Sequence, residues 1–152
     1  MINDFVEIND GKVINIQVEV DLLIDKNFNA SEVKARAAKS VIDFFNIENR
    51  QMNEEIYISQ IIDSLREVPG VINVVNIRFY NMVGGGYSNT VISQSSGESI
   101  FIQGTGGYRI QIVPIDNTIF GTPISMFEVK FPNKDILVRT TSSNFNPNSF
   151  VI

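Results

Sequence analysis

The most constraining feature of this sequence is an alternation of apolar and mostly polar residues between positions 14 and 24. The apolar positions are Ile14, Ile16, Val18, Val20, Leu22 and Ile24, and the intervening ones are Asn15, Gln17, Glu19, Asp21 and Leu23. A period of two is typical of a β-strand, because successive side chains point to opposite faces of a sheet. The pattern therefore predicts a long strand with one buried face.

Two amphipathic segments follow this strand and predict helices. Asn29 and Glu32 have the spacing of an N-cap residue and an acidic residue three positions later, which predicts a helix from about Ala30 to Phe45. Apolar residues then recur at helical spacing in the segment Ile58–Val68. Pro69-Gly70 is expected to end this second helix.

The residues after the second helix predict another strand, over Val71–Tyr80, because β-branched and aromatic residues are frequent there. The first part of the chain is thus a strand-helix-helix-strand unit. The two helices cannot bury their apolar stripes on each other and also cover the strands, so both are expected on one face of a shared sheet. This arrangement places Val41, Phe44, Ile61 and Leu65 in one core. The predicted fold class is α+β.

A change of composition separates this unit from a β-rich second half. The stretch 82–97 contains Gly84-Gly85-Gly86 and many Ser, Asn and Gln residues, which predicts a flexible or extended connector. Gly104-Thr105-Gly106-Gly107 is typical of a hairpin turn between two short strands. Segments 126–131 and 136–140 predict a second hairpin. The predicted division is an α+β domain (1–81), a connector (82–97), a β-hairpin-rich subdomain (98–141) and an extended tail (142–152).

Composition excludes several classes of function. Cysteine and histidine are both absent, so the sequence offers no disulfide, no thiolate or imidazole metal ligand and no histidine base. We therefore expect no enzyme activity, no cofactor and no metal. The net charge of −5 argues against nucleic-acid binding, which depends on clustered Lys and Arg. No apolar run has the roughly 20 residues that cross a bilayer, and the acidic N-terminus does not resemble a signal peptide, so we expect no membrane association and no export.

The motifs that could carry chemistry have simpler interpretations. Gly84-Gly85-Gly86 could hold a phosphate only if a helix followed it, and the sequence predicts none there. Asp63 and Glu67 are four residues apart on the second helix, where solvated charges are the expected interpretation. Asp21 and Asp25 lie on the polar face of the first strand without a calcium-type loop, so a solvated or interface face is favoured over a cation site.

The candidate contact residues for partners are found in the connector and in the tail. The tail is too polar to fold alone, yet it ends in large apolar residues, so we expect it to become ordered against another subunit. The predicted contact residues are Gly84, Gly85, Gly86, Tyr87, Phe145, Phe150, Val151 and Ile152.

Three local sequences carry a resemblance to a known family. They are the alternating strand ending near Ile24, Glu32-Val33-Lys34-Ala35 running to Val41-Ile42-Asp43-Phe44-Phe45, and Ile56-Tyr57-Ile58-Ser59-Gln60-Ile61-Ile62 leading into Val68-Pro69-Gly70-Val71. With them, the stretch from about Val13 to Tyr80 resembles the C-terminal region of the baseplate J-like family, the wedge proteins of contractile phage tails. Members are usually longer and often have a glycine where this chain has Asn53-Glu54-Glu55. A C-terminal fragment or a short relative is therefore expected.

The resemblance implies a structural subunit of the tail baseplate, made in the cytoplasm of a host bacterium and built into the virion. Such a wedge subunit is present in several copies and contacts its own kind and other baseplate proteins. It has no catalytic residues to transfer to this chain. The alternative is that the β-rich half is a receptor- or carbohydrate-binding module of a tail appendage, with Tyr87, Phe101 and Tyr108 as stacking rings. The interpretation that these rings fill a small core is favoured over stacking.

Overall fold

The computed structural model describes residues 13–46, 55–121 and 125–142. The strands are β1 (Val13–Ile24), β2 (Ile56–Tyr57), β3 (Val71–Gly84), β4 (Ser99–Ile102), β5 (Gly107–Gln111), β6 (Thr118–Ile119), β7 (Met126–Glu128) and β8 (Ile136–Ser142). The helices are α1 (Ala30–Phe44), α2 (Ile58–Arg66) and the single turn α3 (Pro132–Asp135). Helices and a mixed sheet are both present, so the predicted α+β class is confirmed.

A six-stranded sheet forms the centre of the molecule. Its order is β4-β5-β3-β1-β7, and β8 pairs with β1 as well. The long strand β1 is antiparallel to β3 and parallel to both β7 and β8. Strands β2 and β6 form a separate two-stranded pair. The alternating strand predicted first from the sequence is therefore a central strand of the fold.

The apolar side of β1 faces the main core. Its residues at positions 14, 16, 18, 20, 22 and 24 are almost completely buried. Val41 of α1 and Ile61 and Leu65 of α2 are buried in the same cluster, and Phe44 packs against it from a partly buried position. The prediction of one core beneath two helices is confirmed. Such burial stabilises each large aliphatic side chain by about 1.5–3 kcal/mol relative to exposure.

The helix boundaries follow from local side-chain contacts. Asn29 Oδ1 accepts hydrogen bonds from the backbone N–H of Ser31 at 2.9 Å and of Glu32 at 3.3 Å, which satisfies donors that the first turn of α1 leaves free. Gly70, after α2, has a φ of 95°, and a Cβ there would lie 2.8 Å from the Phe28 ring and 2.9 Å from Val33. A glycine is therefore required at the turn that leads into β3.

The predicted hairpin at 126–140 is wrong. Strands β7 and β8 both run parallel to β1 along the same edge, β7 beside its start and β8 beside its second half. The four residues between 131 and 136 form the helical turn α3, so the chain shifts along β1 without reversing direction. By contrast, the hairpin predicted around Gly104–Gly107 is confirmed, since β4 and β5 pair antiparallel across it.

The predicted β-rich subdomain is not a separate unit in the structure. Strands β4, β5, β7 and β8 belong to the same sheet as β1 and β3. The connector also packs against that sheet, because Asn81 Oδ1 accepts from the N–H of Ile92 at 3.0 Å and Ile92 itself is buried. Polar connector side chains replace missing backbone partners, as with Gln94, which bonds to the backbone of residues 113, 118 and 120. Within the described ranges, no helix is both long and apolar enough to span a membrane.

Candidate functional site

The polar side of β1 is the most unusual surface of the sheet, because it is buried. Asn15 is 1% exposed, Gln17 7% and Glu19 4%. The sequence predicted one buried face for this strand, whereas much of its polar face is buried as well. Neighbouring strands on both sides of β1 carry long side chains that cover these polar groups. Buried polar groups of this kind require partners, so their contacts determine what the surface can do.

Glu19 lies at the centre of this surface and is surrounded by arginines from three other strands. Its carboxylate pairs with Arg109 Nη1 at 2.9 Å, Arg78 Nε at 3.1 Å and Arg139 Nη2 at 3.3 Å. The sheet register explains this convergence, because Arg78 stands directly opposite Glu19 on β3. Asp21, the next polar residue of β1, also pairs with Arg78, at 3.1 Å. We call Glu19, Asp21, Arg78, Arg109 and Arg139 the ionic network.

The contacts of the ionic network favour the charged forms of Glu19 and Arg78. Burial by itself raises the pKa of Glu19, but hydrogen bonds from Arg109 and Arg78, together with their positive charges, outweigh that effect and hold the pKa below its ordinary value. Burial lowers the pKa of Arg78, and its bonds to Glu19 and Asp21 reverse this and raise it. A carboxylate held in its ionised form by several arginines is a poor proton donor or acceptor near neutral pH.

A second buried carboxyl group lies at the end of the same polar surface. Asp135, on the helical turn α3, is 1% exposed and accepts hydrogen bonds from the Tyr87 hydroxyl at 2.9 and 3.0 Å and from Gln17 Nε2 at 3.4 Å. Burial raises the pKa of Asp135, and these hydrogen bonds oppose the shift only in part. Burial, followed by the bond to Asp135, raises the pKa of Tyr87. Tyr87 therefore remains a donor over the physiological pH range.

A pocket of about 330 Å³ opens beside these two groups. Its lining residues are Gln17, Met82, Tyr87, Ile100, Phe101, Ile102, Gln103, Thr105, Arg109, Lys134 and Asp135. The volume lies near the lower end of the range for small-molecule sites. Tyr87, Gln17 and Arg109 already bond to partners within the chain. Among the described residues, every buried side-chain nitrogen and oxygen has a hydrogen-bond partner, so no buried polar group is left for a ligand to satisfy.

The outer edge of β4 is the other notable feature of this region. No described strand pairs with that edge. Phe101 is 52% exposed and Tyr108 46%, and their rings form an edge-to-face pair with centroids 5.3 Å apart. The favoured interpretation, that these rings fill a small core, is therefore wrong for Phe101 and Tyr108. Because Phe101 and Tyr108 are directly paired on the outer hairpin, their rings lie on the same face of the sheet, where both are exposed.

The glycines of the predicted contact loop are accounted for by contacts within the chain. Gly84 ends β3 with a φ of 75°, and Gly85 has a φ of 60°. A Cβ on Gly85 would lie 2.7 Å from the carbonyl oxygen of Thr105, so the loop needs glycine to approach the β4–β5 turn. Gly86 lies beside the Phe131 ring, and its carbonyl accepts a hydrogen bond from Lys130. The remaining predicted contact residues, Phe145, Phe150, Val151 and Ile152, lie outside the described residues.

The other sequence candidates take the simpler roles. Asp63 and Glu67 are both exposed on or beside α2, as predicted. Asp21 belongs to the ionic network, and Asp25 accepts a hydrogen bond from the N–H of Asn27 at 2.9 Å. Asp21 is thus partly exposed and also paired within the chain. Within the described parts of the chain, no group of three or more acidic residues is placed to hold a metal ion.

Sequence reasoning missed Asp135 and the ionic network. The six arginines are scattered along the chain, and only sheet pairing brings three of them to Glu19. Arg78 was one detectable signal, since a charged residue at the centre of a predicted strand favours an opposite charge on a neighbouring strand.

Comparison with models of known families found no match, and comparison with curated protein sequences found none either.

Proposed function

We propose that this chain is a structural subunit of the baseplate wedge of a contractile phage tail. It acts in the virion through contacts with copies of itself and with other baseplate proteins. The observation that carries the proposal is the open edge of β4 with its exposed pair Phe101 and Tyr108. Unpaired backbone groups and exposed aromatic rings are typical of surfaces that bind another chain.

The resemblance to the baseplate J-like family supplies the identity of the assembly. The sequences that carry it form β1, α1, β2, α2 and the turn into β3, which are successive elements packed around one core. The glycine of Val68-Pro69-Gly70-Val71 has a structural reason, since its Cβ would collide with Phe28 and Val33. A turn of this sequence, placed between α2 and β3, supports the resemblance.

The chemistry of the polar surface also favours a structural role over catalysis. Glu19 and Asp21 are neutralised by arginines, and Asp135 is tied to Tyr87 and Gln17. A catalytic acid or base needs access to a reacting group, and these carboxyl groups are directed at partners within the chain. Such a network instead fixes the positions of the strands that carry it.

The test is to locate the protein in assembled particles. Particles from the cells that make this chain would be separated on a density gradient and probed with an antibody, using a cytoplasmic host protein as the control for contamination. The proposal requires co-sedimentation with tails and gold labelling at the tail end that holds the baseplate. Recovery only in low-mass fractions, together with the control protein, would overturn it.

One observation favours a second candidate, a receptor- or carbohydrate-binding module. Phe101 lines the 330 Å³ pocket and is exposed beside Tyr108, so a sugar ring could stack on this aromatic pair. A glycan array with the wild-type chain tests this candidate. Binding that Phe101→Ala abolishes and Phe120→Ala preserves would support it, because Phe120 is another exposed phenylalanine. An array without any bound glycan would contradict it.

A further inference from the structure

The hydrogen bonds at the start of β4 show which backbone groups face outward. The N–H of Gln111 donates to Glu98 O at 2.9 Å, and Gln111 O accepts from the N–H of Gly97 at 3.0 Å. In an antiparallel pair, residues alternate between bonding inward and facing away. Gln111 is hydrogen-bonded to Glu98 in this way, so the next hydrogen-bonded pair, two residues further along, is Arg109 of β5 with Ile100 of β4. The N–H and C=O groups of Ser99 and Phe101 therefore point to the open edge.

Apart from its shortness, this edge lacks the usual protection against strand pairing. Natural edge strands are blocked by proline, by lysine or other charges, or by a covering segment. The sequence of β4 is Ser-Ile-Phe-Ile, which contains no charge and no proline. Ser99 and Phe101 are both exposed, so no described segment covers the strand. The edge is short, but it is open along its whole length.

We propose that a second copy of this chain adds to the β4 edge, antiparallel, around a two-fold axis at Ile100. The inference deepens the proposed function, on which it rests, by naming one surface through which copies of the subunit meet. Two-fold pairing places each Ser99 opposite the second copy's Phe101, so the outward donors and acceptors of one strand meet those of the other. The two sheets then become one continuous sheet.

Charge complementarity supports a second copy as the occupant. In this register, Glu98 lies opposite the second copy's Ile102, which lines the pocket with the exposed Lys134 and the buried Asp135. Arg109 also lines this pocket, but its charge is already paired with Glu19 at 2.9 Å. Because the axis is perpendicular to the sheet, Glu98 is on the same face as that pocket. The exposed Glu98 before each β4 thus faces the side of the other copy that carries the exposed Lys134, and the same attraction occurs twice by symmetry.

The absence of cysteine from the sequence makes a direct crosslinking test possible. Only position 100 stands opposite itself in the proposed pairing, as a non-hydrogen-bonded pair with Cα atoms about 4.5 Å apart. That spacing lies within the range of roughly 4.4–6.8 Å for disulfides. Ile100→Cys should therefore form a covalent dimer under mild oxidation. Ile102→Cys is the matched control and should stay monomeric, because it faces Glu98 in the second copy.

A second measurement uses the chain without crosslinks. Ser99→Pro removes an outward N–H while leaving the bonds between β4 and β5 intact, and Ser99→Thr keeps the N–H. Sedimentation velocity over a concentration series should show self-association in the wild type and in Ser99→Thr. Ser99→Pro should weaken it about tenfold or more, since the symmetric interface loses a hydrogen bond at each end. Circular dichroism would establish that both variants are folded.

Several outcomes would overturn the inference. They are a wild type that remains monomeric at all concentrations, a Ser99→Pro variant that associates as strongly as the wild type, and crosslinking at position 102 as efficient as at position 100. These results are separate from the particle test of the proposed function. A chain found in tail particles but unable to crosslink at position 100 would refute the β4 contact alone. A chain that crosslinks but is absent from particles would refute the baseplate assignment alone.

Discussion

Replacing Glu19 by Gln should destabilise the fold substantially, because it removes the only fully buried charge of the ionic network among the described residues. Gln keeps the shape of the side chain and one acceptor oxygen but loses the negative charge. Breaking a buried ion pair by removing one partner typically costs about 3–5 kcal/mol, because the remaining charge is left without compensation. The side chains of Arg78 and Arg109 retain 22% and 26% exposure, which lowers this figure.

The two arginines differ in the contacts that they keep when Glu19 loses its charge. Arg78 keeps Asp21 at 3.1 Å. Among the described residues, Arg109 keeps only Gln17 Oε1 at 3.0 Å and the face of the Tyr80 ring at 4.4 Å. The largest penalty therefore falls on Arg109. We expect Glu19→Gln to lower the free energy of unfolding by about 2–4 kcal/mol.

Urea denaturation followed by circular dichroism measures this change, and Arg139→Gln is the matched control. Arg139 belongs to the same network, but its side chain is 64% exposed, so its loss should cost no more than about 1 kcal/mol. Equal effects of the two substitutions, or a loss below about 1 kcal/mol for Glu19→Gln, would refute the view that the polar face of β1 is an essential buried surface.

Four further predictions follow from the described contacts. Leu65→Ala should lower the free energy of unfolding by about 2–5 kcal/mol, as buried leucines do, and a change below 1 kcal/mol in urea titration would mean that α2 does not cover the core. Gly70→Ala should lower the melting temperature, because its φ of 95° and the Phe28 ring at 2.8 Å both oppose a Cβ; unchanged melting would contradict this account of the turn. Because the pKa of Asp135 is raised in the folded protein, its contribution to stability is full below its ordinary pKa and is lost as pH rises through the folded pKa. Asp135→Asn should therefore remove this decline in the free energy of unfolding from a series of unfolding curves measured at increasing pH. An equal decline in the variant would assign the effect to another group. Deletion of 144–152 should leave thermal stability nearly unchanged and impair particle assembly, whereas a large loss of stability in the isolated chain would show that the tail belongs to its own core.

The elements of the first half could be predicted because their signals are local. Alternation defined β1, and the Asn29 cap with apolar residues at helical spacing defined α1. These patterns depend on residues a few positions apart, and the structure satisfies them with nearby contacts. The packing of both helices over the apolar side of β1 followed from the need to bury three apolar surfaces in one core.

The direction of strands β7 and β8 could not be predicted in the same way. Two short apolar segments around Pro132-Asn133-Lys134-Asp135 have the composition of a hairpin. The observed alternative depends on an edge of β1 that is long enough to accept both strands in sequence. Pro132 at the first turn of α3 was the available signal, since proline is frequent there. Asp135 fell in the connection of the predicted hairpin, and its burial depends on Tyr87, 48 residues away.

The burial of the polar face also explains why the division into domains failed. An alternating strand has the same sequence whether its polar side faces water or faces charged side chains of other strands. Here Glu19 is paired with Arg78, 59 residues away, and with Arg109, 90 residues away. Arg78 belongs to the predicted α+β domain, whereas Arg109 and Arg139 belong to the predicted subdomain. The two halves therefore share both a sheet and a charge network.

This arrangement has a consequence for the open edge of β4. Strand β4 pairs with β5, and β5 carries Arg109, which is held to Glu19 at 2.9 Å and lies over the Tyr80 ring. The hairpin is therefore fixed to the central strands by side chains as well as by the backbone ladder. A partner strand binds more tightly to an edge that is already ordered, because less conformational entropy is lost on binding. The ionic network thus supports the protein's exposed edge from the opposite side of the hairpin, although none of its residues needs to contact a partner.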